Sequence, residues 1–184
     1  MPYLKTPLAA CIVAVLAACS NQPPSPKSSN AAVAIATPVA TASPTTAPLS
    51  DDGFMRSASA VEAGRYALGV IGQKQANSNA IRSLAARISS DAAESSRWLD
   101  AYARKKNVHI AAHPTIRAAY QYSQLTGRRG AAFDRSFVQA IRIDTTIALD
   151  SFKQELRHTK DPALQNFAKR QIAQFESNLK QLPG

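Results

Sequence analysis

The stretch NVHIAAHPTIRAAYQYSQLTGRRG, Asn107–Gly130, decides how the rest of the chain is read. The helical period that precedes it stops at Asn107, and no helical stripe runs through Val108-His109-Ile110-Ala111-Ala112-His113. Pro114, whose fixed φ suits a first helical turn, is placed to open a short helix that reaches Leu125. Gly127 and Gly130 punctuate its exit. A connection of this length can travel from one end of a helical bundle to the other, whereas a connection of a few residues can only reverse direction.

Outward from that stretch the chain reads as helix on both sides. On the N-terminal side, Phe54, Ala58, Val61, Arg65, Leu68 and Gly72 recur at alternating steps of three and four, as do Ile81, Leu84, Ile88, Ser95, Leu99 and Tyr102. The second segment ends at Arg104-Lys105-Lys106, cations that complement the negative end of a helix dipole. On the C-terminal side, residues 131–159 carry Phe133, Phe137, Ile141, Ala148, Phe152 and Leu156 on one line. Asp161-Pro162 then reads as an N-cap with proline at the first helical position, opening a helix with Leu164, Phe167, Gln171, Phe175, Asn178 and Leu182 inward. The links around Asn77-Ser78-Asn79 and around Lys160 are short, so each pair of helices should be an antiparallel hairpin. Helices of about 20–28 residues are roughly 30–42 Å long, and Asn107–Gly130 has to cover that length. The expected fold is all-α: a ferritin-like four-helix bundle, two antiparallel hairpins joined by a long crossover containing a short helix.

The first residues have a different character. Lys5 precedes an apolar, alanine-rich run, Leu8–Ala18, and then Cys19, the layout of an export signal too short to span a bilayer. Leu16-Ala17-Ala18-Cys19 fits a lipobox. Leu8-Ala9-Ala10-Cys11 spells the same pattern, but cleavage there would leave only Thr6–Ala10 after Lys5, short of the apolar stretch of about 7–15 residues that a signal requires. Residues 1–18 are therefore expected to be a lipoprotein signal peptide and Cys19 the lipidated residue, the covalent lipid being the only cofactor-like group. The cysteine count of two is then spent, leaving no thiol for a disulfide, a metal or a nucleophile. Two or more acyl chains anchor a protein stably. Ser20, where an aspartate would favour retention at the inner membrane of a Gram-negative cell, points to the outer membrane, facing the periplasm. Residues 19–50 hold six of the eleven prolines among Ser, Thr, Ala and Asn, with Lys27 as the lone charge, and read as a semi-extended tether.

Residues 51–184 are expected to form one domain. Twenty cationic and twelve acidic side chains leave it with +8. Outside the cytoplasm such a charge implies no nucleic acid but an anionic envelope polymer, lipid, or an acidic protein as partner, besides the membrane that holds the anchor. The usual elements of an active site are missing from the pattern: no nucleophile with a base at recognisable spacing, no paired carboxylates, no phosphate loop and no metal set. No enzymatic activity is expected.

Three passages carry a resemblance: Gly130-Ala131-Ala132-Phe133-Asp134-Arg135-Ser136-Phe137, Lys160-Asp161-Pro162-Ala163-Leu164 with Phe167-Ala168, and Asn107-Val108. With these, Phe54 to about Leu182 resembles a family of exported bacterial proteins often labelled "predicted outer membrane protein", a domain of unknown function with a ferritin-like bundle. The resemblance implies a polar interior of Glu, Asp and His. This chain departs from it: the acid of the first helix aligns with Arg65, two Asp-His pairs become Asp91-Ala92 and Asp144-Thr145, and the last histidine falls near Ser177-Asn178. A guanidinium among would-be ligands repels a cation, so no metal is expected.

What the interior is expected to hold instead is an ion-pair cluster in which Arg65 meets Asp144, with Asp91 and Gln171 nearby. The plainer arrangement has Arg65 snorkelling at the bundle edge, and Arg65 in solvent would exclude the cluster. A contact surface is expected from Arg104, Lys105, Lys106, Arg128 and Arg129 with Tyr120 and Tyr122 of the crossover. His109 and His113, four apart but followed by Pro114, read as loop histidines, His158 as an exposed helix-end residue, and Trp98 with Tyr102 as flanking the core. The expectation is thus a non-enzymatic envelope lipoprotein, a binding or accessory module. The alternative is a ferritin-like metal-binding or stress-response protein.

Overall fold

The computed structural model describes residues 49–183; the expected signal peptide, Cys19 and nearly all of the tether lie outside them. All described residues fall within one compact unit, 44–184. Five helices account for the regular structure, with no strand among the described residues: α1 Asp51–Gln75, α2 Asn79–Lys105, α3 Ile116–Thr126, α4 Gly130–His158 and α5 Pro162–Gln181. The protein is all-α.

Each helix begins and ends where local chemistry dictates. Ser50 caps α1 by accepting from the Gly53 N–H, and Ser78 caps α2 by accepting from Ile81. Asp161 caps α5, accepting from the Ala163 and Leu164 N–H groups, and Pro162 follows it. Asn107 stops α2 in the left-handed region at φ +59°, with the Val108 N–H donating to the Ala103 carbonyl at 2.8 Å, a closed C-terminal turn whose apolar member, Val108, is buried. The start of α3 differs from expectation. Thr115 is its N-cap, accepting from the Ala118 N–H, and Pro114 lies outside the helix. A threonine hydroxyl satisfies an orphan N–H, which proline at the first position cannot do.

α1 packs against α2, α3 and α4, α4 against α5 and α3, and α2 against α5. The start of α1 meets the end of α2 and the joint of α4 with α5: Phe54, Leu99, Ala103, Phe152, Phe167 and Phe175 share one apolar cluster. A second cluster at the opposite end joins Leu68, Ile71, Ile81, Leu84, Ile88, Leu125, Phe133, Phe137, Ile141 and Leu182. Phe54 sits edge-on to Phe152 at 5.2 Å, and Phe152 to Phe175 at 5.1 Å. Each fully buried Phe contributes up to about 3 kcal/mol by burial alone. Among the described residues, the core is assembled from Phe54 onward. α3 runs outside, between the two ends, its Ala118 pressed against Gly64 of α1.

Close approach of α1 and α2 rests on two glycines. A Cβ at Gly69 would lie 2.8 Å from the Ala85 carbonyl oxygen and the Ser89 nitrogen, and one at Gly72 would lie 2.6 Å from Ala85 Cβ.

Candidate functional site: a polar layer between two apolar ends

Between the two apolar clusters the helices change character together. α1 supplies Ser59, Glu62 and Arg65 there, α2 Ser95, α4 Thr145 and α5 Gln171, all buried. Arg65 Nη1 donates to Glu62 Oε2 at 2.8 Å and to Gln171 Oε1 at 3.5 Å; Gln171 in turn donates to Ser95 Oγ at 2.6 Å. The guanidinium also lies 4.5 Å from the centre of the Phe175 ring. With its side chain 4% exposed, Arg65 does not snorkel to the edge. One oxygen of Glu62, Oε1, and one nitrogen of Arg65, Nη2, have no hydrogen-bond partner.

The membership of the layer differs from the expected cluster. Arg65 and Gln171 meet, but the ion-pair partner of Arg65 is Glu62, one turn back on its own helix, and Asp144 is taken elsewhere: Arg117 of α3 donates to it at 3.0 Å. Gln121, one turn further along α3, also donates to Asp144 once its amide nitrogen is turned to the carboxylate. The reason is geometric. Glu62 and Arg65 are three apart and share one helix face, whereas Asp144 lies beside α3, which brings a second arginine within reach. Arg65 and Asp144 still line the same small cleft of about 120 Å³ with Arg117 and Thr115. Asp91 is half-buried; burial pushes its pKa up against the pull of Arg65 and Arg87.

Sequence reasoning missed Glu62, Ser95, Arg117 and Gln121. The spacing of Glu62 to Arg65, and of both to Gly69, was the available signal for the first. Ser95 lay on the inward stripe of α2 without being assigned to the site, and nothing local marks Arg117 and Gln121, because α3 docks through long-range contacts.

Burial also governs proton affinity. Desolvation pushes Glu62 up to about 7 against the coulombic and hydrogen-bonding pull of Arg65. Glu155, buried near the start of α1, is likewise raised to about 7 by desolvation and then by Asp51, and its Oε1 has no partner. Asp161 is held well below the usual carboxylate range by hydrogen bonds from Lys106 and Tyr102, at 2.8 and 2.6 Å. The signs oppose each other. A carboxyl raised in the folded state stabilises most below its ordinary value, near 4.5, and loses that contribution as pH climbs through 7. A depressed one stabilises above its ordinary value and fails on acidification. Stability is therefore expected to decline between pH 5 and pH 8, and Glu155→Gln to flatten part of that decline. Thermal unfolding across the range checks this; a Glu155→Gln profile parallel to wild type would contradict it.

The expected contact surface is divided by the fold. Arg104, Lys105 and Lys106 lie at the end where the chain enters α1, and two are engaged, Arg104 with Asp100 at 3.0 Å and Lys106 with Asp161. Arg128 and Arg129 lie at the other end: Arg129 donates to Gln75 Oε1, at the close of α1. Tyr120, Arg117 and Arg128 border a groove of about 430 Å³ between α3 and α4, with Leu125, Ala140 and Ile143 among its lining; Tyr122 does not line it. His109, His113 and His158 are exposed. Trp98 is half-buried, stacked between Tyr102 at 5.0 Å and Phe167 at 4.7 Å. Among the described residues, no three His, Cys, Asp or Glu side chains are gathered to hold a metal ion, and no helix is long and apolar enough to cross a membrane.

An all-helical bundle with a buried arginine–glutamate pair at mid-height is the class these features define. The chain belongs to the family "Domain of unknown function (DUF4142)", which it matches over residues 36–183, starting fifteen residues ahead of α1. No curated protein and no solved structure matches it.

Proposed function

We propose that this protein is a non-enzymatic cell-envelope lipoprotein, anchored in the outer membrane through acylated Cys19 and facing the periplasm. Its bundle, of ferritin-like topology with one long crossover, serves as a binding or accessory module that works through its cationic outside. The observation that carries this reading is the filling of the polar layer. Arg65 sits where an interior ligand set would converge, and its charge is spent on Glu62 and Gln171. Of the two aspartates that remain from such a set, Asp91 and Asp144, the second is engaged by Arg117. A fixed guanidinium opposes a cation in that space.

Two measurements test the reading. In cells, the wild type should incorporate labelled palmitate and fractionate with the outer membrane, and Cys19→Ser should do neither; palmitate retained by Cys19→Ser would overturn the assignment. Titration of the acylated protein with iron, zinc or copper should give no stoichiometric binding. Stoichiometric uptake lost on Asp144→Ala would instead establish the metal-binding alternative.

A further inference from the structure

The +8 of the folded domain is not spread evenly. The two helices that start where the chain enters the bundle, α1 and α5, begin with acids: Asp51 and Asp52 in one, the Asp161 cap in the other. At the opposite end start α2 and α4, and neither has an acid in its first turn. Arginines stand there instead, Arg82 on α2 and Arg128-Arg129 ahead of α4, with Arg129 itself at the N-cap position and making no side-chain cap bond. Arg135 follows in the second turn of α4. Cations at helix N-termini oppose the helix dipole, each by about 0.3–1 kcal/mol. The dipoles of α2 and α4 therefore do not account for cations at their starts.

Hydrogen bonds tie these residues to one face of the molecule. Arg82 donates to the Ala76 carbonyl, Arg129 to Gln75, and Arg142 to the Pro183 carbonyl, while Arg135 borders the same hollow as Ser78 and Pro183. Lys74 and Lys180, on the last turns of α1 and α5, complete the set. Every cation of the group is exposed. The lone acid at this end, Asp134, has both carboxylate oxygens occupied by the Asn77 and Ser78 N–H groups, at 2.8 and 2.9 Å. Arg82, Arg128, Arg129 and Arg142 donate to carbonyls and neutral amides, which orient a guanidinium without cancelling its charge. Seven cations against one acid give this end +6, and the rest of the domain, thirteen against eleven, only +2.

We infer that this end of the bundle is a docking face for an anionic phospholipid surface. All five helices or their flanking turns contribute cations, so the charge is distributed around an end rather than along a groove. A planar array of headgroups meets such a distribution all at once, whereas a linear polyanion meets only a row of it. None of the exposed large hydrophobic side chains (Leu49, Tyr66, Ile116, Tyr120, Tyr122, Ile143, Ile147) belongs to the last turn of α1 or α5, the first turn of α2 or α4, or the turns that link them. The contact is therefore electrostatic adsorption without insertion, worth about 1 kcal/mol per cation held within a Debye length of the surface. Because the chain enters at the opposite end, the docking face is turned away from the tether's point of attachment. The inference rests on the exterior being the working surface, and is independent of Cys19 acylation.

Co-sedimentation with vesicles tests it, using a chain that begins at Ser20, which keeps every residue of the core described above. Binding is expected to vesicles of phosphatidylcholine with 30% phosphatidylglycerol, not to phosphatidylcholine alone, and to weaken steeply with salt. Lys74, Arg135 and Lys180 have no ion pair or hydrogen bond among the described residues, so Lys74→Gln/Arg135→Gln/Lys180→Gln should fold normally, as judged by thermal unfolding. It should bind about 100-fold more weakly, from about 1 kcal/mol per cation. The matched variant at the other end, Arg104→Gln/Lys105→Gln/Lys160→Gln, should lose about twofold at most. Equal losses in both variants, equal binding to neutral vesicles, or no binding to anionic vesicles would overturn the proposal. Failure on vesicles with retention of soluble polyglutamate would identify an acidic polypeptide as the partner class and leave the binding-module reading standing; stoichiometric metal uptake would remove that reading too.

Discussion

Arg65→Met is expected to cost about 3–5 kcal/mol of folding stability, a large share of the roughly 5–15 kcal/mol that holds a domain of this size together. The substitution keeps most of the apolar stem but leaves Glu62 in a fully buried position without its partner. A buried carboxylate deprived of its cation must either remain charged in a low-dielectric interior or take up a proton. Glu62 is already raised to about 7 with Arg65 present, and without that pull it rises further. The cost of Arg65→Met should therefore be larger at pH 8 than at pH 5, where protonation relieves the charge. Removing both charges, in Glu62→Leu/Arg65→Met, is expected to recover most of the loss, because an apolar pair of similar volume needs no desolvation. Denaturant unfolding of the two single variants and the double variant at both pH values checks this. A single-variant cost below about 1 kcal/mol, the range of exposed pairs, would show that the pair is hydrated and not a buried element of the core.

Gly69→Ala is expected to destabilise by about 1–3 kcal/mol, against the gain of roughly 1 kcal/mol that alanine brings to an open helix position. The added methyl group would meet the Ala85 carbonyl oxygen and the Ser89 nitrogen, both at 2.8 Å, and also Ser89 Cβ. Backbone cannot rotate aside as a side chain can, so α1 and α2 would have to separate along the seam where Leu68, Ile71, Leu84 and Ile88 are buried. Gly127→Ala is the internal control: nothing lies within 4 Å of its Cβ position and its φ is −85°, so stability should stay the same or rise slightly. If Gly69→Ala unfolds at the same denaturant concentration as wild type, the helices are less closely apposed than the geometry indicates.

Much of the secondary structure was legible because its causes are local. The stripe of Phe133, Phe137, Ile141, Ala148 and Phe152 predicted α4, and Asp161-Pro162 predicted the start of α5 to the residue. Where two local preferences competed, at Pro114 and Thr115, the hydroxyl that bonds a backbone N–H set the boundary. The candidate site was legible only in part. That Arg65 belongs to the inward stripe follows from period alone; that it meets Gln171 is consistent with both lying on inward faces. Its ion partner was missed: Glu62 lies outside the stripe of Phe54, Ala58, Val61, Arg65, Leu68 and Gly72, and Asp144 is drawn off because α3 brings Arg117 to it.

What the sequence determined by itself is the set of helices, the turns between them and the cationic balance of the folded domain, because period, capping residues and charge counts need no knowledge of neighbours far along the chain. The tertiary structure decided which charges cancel. Lys106 looks like Arg128 and Arg129 in the sequence, but the fold places the carboxylate of Asp161 against it, and only carbonyls and amides against the other two. Coulombic energy depends on distances across the bundle, and those exist only once α3 has carried the chain from one end to the other.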